Sequence, residues 1–188
     1  MAGALAYRDD YRYEMIYGKE IIMSPVRFKH FKLQKNLFKL LDNYLSNKPN
    51  YEVLSDFAVY FEKNHWMEPD ICIISDKNMI RDSFVYGAPD FVVEIFSPGT
   101  YKRDISVKKD TYEQYGVKEY WTIDPDSRII TVYLNKDGKF TLDDTYYPYT
   151  EDDLKAMRET ERSELKDEIK LSVFDDLIIK IDDIFKDV

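Results

Sequence analysis

Two periods of hydrophobic and polar positions organise this chain. Between residues 26 and 45, Leu33, Leu37, Leu40, Leu41 and Tyr44 recur at helical spacing, which predicts an amphipathic helix of about five turns that Asn47-Lys-Pro-Asn50 brings to an end. Over residues 51–61 the period changes to two. Tyr51, Val53, Ser55, Phe57, Val59 and Phe61 alternate with Glu52, Asp56 and Tyr60, as in a strand with one buried face. Residues 70–75 and 90–97 are denser apolar runs, each opened by Pro-Asp, and predict central strands covered on both faces. A short strand over 20–24 is closed by Pro25, and a helix over 104–115 takes Asp104 as N-cap and Gly116 in the left-handed position after its end. Strands over 118–123 and 128–134 flank the turn Asp124-Pro-Asp-Ser127, with a weaker strand near 140–142 after the turn 135–138. A helix is expected over 150–167, then an apolar-patterned end at 173–185. No repeat or linker marks a second domain. The order predicts one α/β domain over residues 1–188, a sandwich around one mixed sheet, with a core at about 14–142 and an extension at 143–188.

Composition narrows the class. With 44% hydrophobic and 15% aromatic residues the 188-residue chain is neither disordered nor fibrous. Its apolar runs, such as residues 91–93, fall far short of the ~20 residues of a membrane helix, and no basic-apolar leader opens it. The single cysteine, Cys72, forms no intrachain disulfide, suits a reducing cytoplasm and gives no expectation of a disulfide-linked partner. A net charge of −9 argues against nucleic acid until it is located. Residues 143–188 hold 15 acidic and 7 basic side chains, which leaves residues 1–142 at −1. The nearly neutral part carries basic clusters: Arg27, Lys29, Lys32, Lys35 and Lys39, and Lys102, Arg103, Lys108 and Lys109.

Two carboxylates fall inside the most hydrophobic strands. Side-chain alternation puts Asp90, Val92, Glu94 and Phe96 on one face, so Glu94 lies between apolar neighbours, where an ionised carboxylate is costly without a cation or donors. Asp90 and Glu94 are about 13 Å apart along one strand, too far to share a metal, and Asp90 reads as a strand-initiating residue after Pro89. Asp70 on an adjacent strand, roughly 4.8 Å away, would be close enough for both carboxylates to grip one Mg²⁺ at ~2.1 Å. On the following helix, Ile105, Tyr112 and Tyr115 define an apolar arc with Lys108 near its middle and Lys109 well to one side. Lys108 either meets the counter-charge of Glu94 and Asp70 or runs its stem out along Tyr112. The helix over 26–45 turns His30 to its apolar arc, opposite Lys29, Lys32, Lys35 and Lys39. His30 either closes the site or is a satisfied core histidine. The lysines either form a solvated face or contact phosphates without regard to sequence.

Taken in order, Glu14, Gly18-Lys-Glu20, Ser24-Pro25, His30, Glu68-Pro-Asp70, Pro89-Asp-Phe-Val-Val-Glu94-Ile-Phe-Ser97, Asp104-x3-Lys108-x3-Tyr112 and Gly116-Val-Lys-Glu-Tyr-Trp-Thr-Ile-Asp124 resemble the Uma family of restriction-endonuclease-like proteins, of the PD-(D/E)XK nuclease superfamily. The similarity runs from about Glu14 to Tyr133 and includes the end at 174–185. The resemblance implies a restriction-endonuclease-like αβββαβ core, a central mixed sheet flanked by helices, with an added β-hairpin and a C-terminal helical segment. It implies a Mg²⁺- or Mn²⁺-dependent endonuclease hydrolysing DNA phosphodiesters, with Asp70, Glu94 and Lys108 catalytic and the metal held by Asp70, Glu94 and the Ile95 backbone carbonyl. Glu20, Glu14 and His30 are accessory candidates, and Lys102, Arg103 and Lys109 are candidate DNA contacts. Phe96 stands where the superfamily usually carries its lysine, two residues after the acid, and Lys108 on the next helix takes that place.

Two other readings compete. A nuclease fold without turnover would bind nucleic acid or protein and share every fold-level feature. An assembly protein would use the 16 tyrosines and the amphipathic end to form a homodimer, leaving the buried carboxylates unexplained. Any sequence specificity is expected from the loops at 63–68 and 77–88 or from a partner.

Overall fold

The computed structural model describes residues 7–8, 11–97, 101–162 and 164–188, and their side chains except at 7, 8 and 101–105. Short strands build the first sheet. β1 (Tyr7–Arg8), β2 (Tyr11–Ile16) and β3 (Lys19–Ile22) pair antiparallel in turn. Helix α1 (Phe28–Leu45) follows, then β4 (Glu52–Leu54), which belongs to a second sheet. β5 (Val59–Glu62) and β6 (His65–Met67) return to the first sheet, where β6 joins β2. β7 (Ile71–Ile74) goes back to the second sheet beside β4, and β8 (Val85–Tyr86) pairs parallel with β5. The chain then runs through β9 (Phe91–Ile95), α2 (Tyr101–Gln114), β10 (Glu119–Asp124), β11 (Ile129–Lys136) and β12 (Lys139–Tyr146). These complete a six-stranded sheet of order β12-β11-β10-β9-β7-β4, in which β9 and β10 are parallel and the other neighbours antiparallel. α3 (Glu151–Ala156), α4 (Glu159–Arg162), the pair β13 (Glu168–Lys170) and β14 (Ile178–Lys180), and α5 (Ile181–Ile184) close the chain.

The second sheet is covered on both faces, as its apolar runs require. One face, with Ile71, Ile73, Phe91, Val93, Trp121 and Ile123, packs against Leu33, Leu37, Leu41 and Leu45 of α1 and against the C-terminal Ile169, Leu171, Phe174, Ile179, Ile181 and Ile184. Burying each leucine of α1 contributes about 2 kcal/mol. The opposite face, with Cys72, Ile74, Val92 and Tyr120, meets Tyr112 of α2 and Val59, Phe61, Met67 and Val85 of the first sheet. The result is a mixed α/β fold. Among the described residues no helix is long and apolar enough to cross a membrane.

Several expectations change. The alternating stretch over 51–61 is two strands in two sheets, because Asp56 takes a left-handed backbone (φ 48°) between β4 and β5. Asp104 is not an N-cap, since α2 is already helical at Tyr101. The weak strand near 140–142 is an eight-residue strand, reached through Asp137 and Gly138, whose positive φ angles (54° and 81°) suit a tight two-residue hairpin. The single helix over 150–167 is replaced by two short ones with no buried residue between them. α3 starts on a capping box between Thr150 and Asp153 but has no apolar stripe to hold a longer helix in place. The first sheet is an addition to the one expected sheet, and within it β3 corresponds to the expected strand at 20–24.

Candidate active site

The two sheets meet at an acidic cavity of about 80 Å³, roomy enough for several waters. β7 and β9 run antiparallel with Ile71 opposite Val93, so one step back along β7 brings Asp70 across from Glu94. Both Asp70 oxygens are engaged. Oδ1 lies 2.9 Å from His30 Nε2, and Oδ2 accepts the Ile95 N–H at 2.6 Å. One turn further along α1, Gln34 donates to the Asp70 carbonyl (2.9 Å) and to Asp56 (2.7 Å). Because N–H and C=O of one residue point to the same strand edge, the Ile95 carbonyl shares the edge that faces Asp70.

Helix α2 supplies the other side. Lys108 Nζ donates to both Glu94 oxygens (3.1 and 3.0 Å), and Tyr112, one turn on, donates its hydroxyl to Glu94 Oε1 (2.7 Å). The same ammonium lies 2.8 Å from Oε1 of Glu14, which projects from β2 and also accepts the Glu68 N–H at 2.9 Å. Glu68 in turn accepts from Arg12 at 2.6 Å, and Arg12 reaches Asp56 at 3.2 Å.

Glu14, Asp70, Glu94 and Lys108 are all buried. Burial drives the Glu94 carboxyl up; Lys108 holds it back, but Asp70 and Glu14 push it further, to about 8. For Lys108, burial works against the charge and is outweighed by Glu14 and Glu94, so it stays charged well above the ordinary lysine value. Burial likewise opposes the charge on His30, yet the bond to Asp70 raises it. Three buried carboxylates thus face one lysine and one histidine, an excess of acid that a cation would relieve. Among the described residues no three His, Cys, Asp or Glu groups form a ready-made metal cage. The donors that do converge, Asp70, Glu94 and a backbone carbonyl, are hard oxygens of the kind Mg²⁺ takes together with several waters. That donor set fits such an ion.

Asp70, Glu94, Lys108, Glu14, His30 and Ile95 therefore come together around one cavity. Glu20 does not: it faces Met15 across β3 and β2 and accepts the Tyr11 hydroxyl at 2.8 Å. Lys109 lies over the Tyr133 ring, 3.9 Å from its centre. The side chains of Lys102 and Arg103 lie outside the described residues. Asp90 is held away from the cavity by Lys118 (2.6 Å) and the Ser75 N–H (2.8 Å), in keeping with a strand-initiating role. Sequence reasoning missed Arg12, Gln34, Glu68 and Tyr120. Gln34 had a signal, a polar side chain one turn after His30 on the apolar arc. Tyr120 had none beyond its place in the segment 116–124 that carries the resemblance: it reads as core, but it lines the cavity and its buried hydroxyl has no hydrogen-bond partner.

Comparison with known proteins bears on the family and the fold. The Uma2 family model, described as "Putative restriction endonuclease", matches residues 4–163. A solved structure described as a "putative nuclease belonging to DUF820" from Anabaena variabilis superposes with a TM-score of 0.65 at 19% identity, covering 93% of this chain and 89% of that one, a likeness of fold. No curated protein matches the chain. With most of its length matched by the family model, the chain belongs to the Uma2 family and has a restriction-endonuclease-like nuclease fold.

Proposed function

We propose that this protein is a metal-dependent endonuclease that hydrolyses DNA phosphodiester bonds in the cavity between its two sheets. The observation that carries the reading is the convergence of Asp70, Glu94 and Lys108, with Glu14 and His30, on one buried site whose acids outnumber its bases. Asp70, Glu94 and the Ile95 carbonyl would hold one Mg²⁺ or Mn²⁺. When bound, the ion supplies a water of lowered pKa and offsets charge on the scissile phosphate.

The chain's own groups do the positioning. His30 Nε2 and the Ile95 N–H fix the two Asp70 oxygens, and the Tyr112 hydroxyl fixes Glu94. Lys108, whose charged form Glu14 and Glu94 favour, would act as an electrostatic donor toward a phosphoryl oxygen or the attacking water. Glu14 holds that ammonium from the opposite sheet and limits how far it swings.

The reading is tested by nicking of supercoiled plasmid in Mg²⁺ or Mn²⁺ by the wild type, Asp70→Asn and Lys108→Ala, with circular dichroism confirming that each is folded. We expect both variants to lose about a hundredfold or more, the scale on which one electrostatic donor acts. Equal nicking by all three, or none by the wild type with either metal, would overturn it; the second outcome would leave a nuclease fold that binds without turnover.

A further inference from the structure

One surface beside the cavity is apolar without being covered. Of the large exposed apolar side chains among the described residues, four fall between residues 22 and 31: Ile22, Val26, Phe28 and Phe31. Phe28 is 73% exposed and Phe31 50%. The two rings stand at i and i+3 of α1, neighbours on one helix surface. Each borders its own hollow. Phe28 lines one of about 250 Å³ with Arg27, Lys29, His30 and Phe96, and Phe31 lines one of about 370 Å³ with Gln34, Lys35, Lys39 and Asp56. His30 and Phe96 also line the acidic cavity, and so does Asp56. The three hollows therefore run side by side along α1, the middle one acidic, with Arg27 and Lys29 beside Asp126 in one flank and Lys35 and Lys39 beside Asp42 and Asp56 in the other; to both flanks α1 brings more basic than acidic side chains.

We propose that Phe28 and Phe31 form a stacking platform for unpaired bases of single-stranded DNA, with Arg27, Lys29, Lys35 and Lys39 holding the phosphates on either side of the acidic cavity. The proposal rests on the nuclease reading and adds the substrate class. Aromatic rings exposed to solvent between basic residues match the two chemistries of a single strand, a base face and a phosphate backbone. In a duplex the base faces are already stacked on one another, so these rings would find no partner. A second copy of this chain is a poorer occupant, because a twofold contact would bring the basic flanks of α1 against one another. The Lys29–Asp126 pair (3.1 Å) is exposed on both sides, so it opens for a phosphate at little cost.

The test is fluorescence anisotropy in EDTA with a fluorescein-labelled oligothymidylate and a blunt duplex, alongside plasmid and oligonucleotide cleavage in Mn²⁺. The wild type should bind the single strand more tightly than the duplex. Phe28→Ala with Phe31→Ala should weaken single-strand binding by about tenfold or more, as lost base stacking does. Phe28→Trp should retain it, and Leu142→Ala, an exposed apolar residue of β12, should leave it unchanged. Unchanged binding by the double alanine variant, or preference for the duplex, overturns the platform; with cleavage still lost in Asp70→Asn, the nuclease reading survives. Conversely, the expected binding losses with no cleavage by the wild type uphold the platform and overturn the nuclease reading. Sedimentation in which the double variant dissociates a dimer while binding the oligonucleotide normally would assign the face to self-association and also overturn the platform.

Discussion

Lys108 is bonded to two carboxylates of the site at once. Its ammonium separates Glu94 from Glu14, and both carboxylates are buried with it. Lys108→Met should therefore cost about 3 kcal/mol in urea unfolding, the scale of a buried pair left with an unpaired charge. Adding Glu14→Gln should recover part of the loss by removing one of the two facing acids. Lys108 was legible in the sequence because helical spacing set it in the middle of an apolar arc. Glu14 was legible only through the family resemblance, since its contacts, Glu68 and Lys108, lie far along the chain and in different elements. His65, on β6 and outside the lining of the cavity, offers a pH test away from the site. Its Nδ1 accepts the Tyr17 N–H at 2.8 Å, and burial lowers its pKa against the opposing pull of Glu62. The unfolded chain thus takes up the proton first, and this contribution is complete above pH about 6.5 and lost as the pH falls below it. In thermal melts from neutral pH down to about pH 5, His65→Asn, which keeps an acceptor near Nδ1, should lose stability less steeply than the wild type.

At the scale of elements, the strands that carry Asp70 and Glu94 were readable because buried strands are dense in β-branched and aromatic residues over four or more positions. Apart from β3 and β5, which overlap expected strands, those of the first sheet were not: at two to six residues, with β5 and β6 joined by a tight turn, they leave little room for a period to show. The C-terminal segment gave a mixed signal. Its charge suggested an extension outside the core, but Leu171, Phe174, Ile181 and Ile184 fill the space beneath α1. Glu119 at the start of β10 secures the segment by accepting from the Ser172 N–H (2.6 Å) and hydroxyl (2.5 Å) and from Trp121 Nε1 (2.6 Å). Leu171→Ala should cost about 3 kcal/mol in denaturant unfolding, as a leucine truncated in a packed core does. A far smaller loss would mean that the segment lies on the core without being part of it.

Over the whole molecule, the cavity is where the two sheets and both long helices meet, with Glu14 from one sheet, Glu94 from the other, His30 from α1 and Lys108 from α2. A cation held there would tie these parts together. Mn²⁺ should raise the melting temperature of the wild type, by the equivalent of about 2.7 kcal/mol at a hundredfold excess over Kd. It should leave Asp70→Asn unmoved, and an equal rise in both would place the ion elsewhere. The net charge of −9 looks different at this scale as well, because the acids of residues 143–188 lie largely exposed on the far stretch of the chain while Lys29, Lys35 and Lys39 of α1 line the hollows on either side of the cavity. The packing of the C-terminal segment beneath α1 also sets a schedule. Domains form as the chain leaves the ribosome from its N-terminus, and the leucines of α1, which the sheet covers in part, are not fully packed until residues 169–185 have emerged. The core under α1 is therefore completed late in synthesis, long after every acid of the site has emerged.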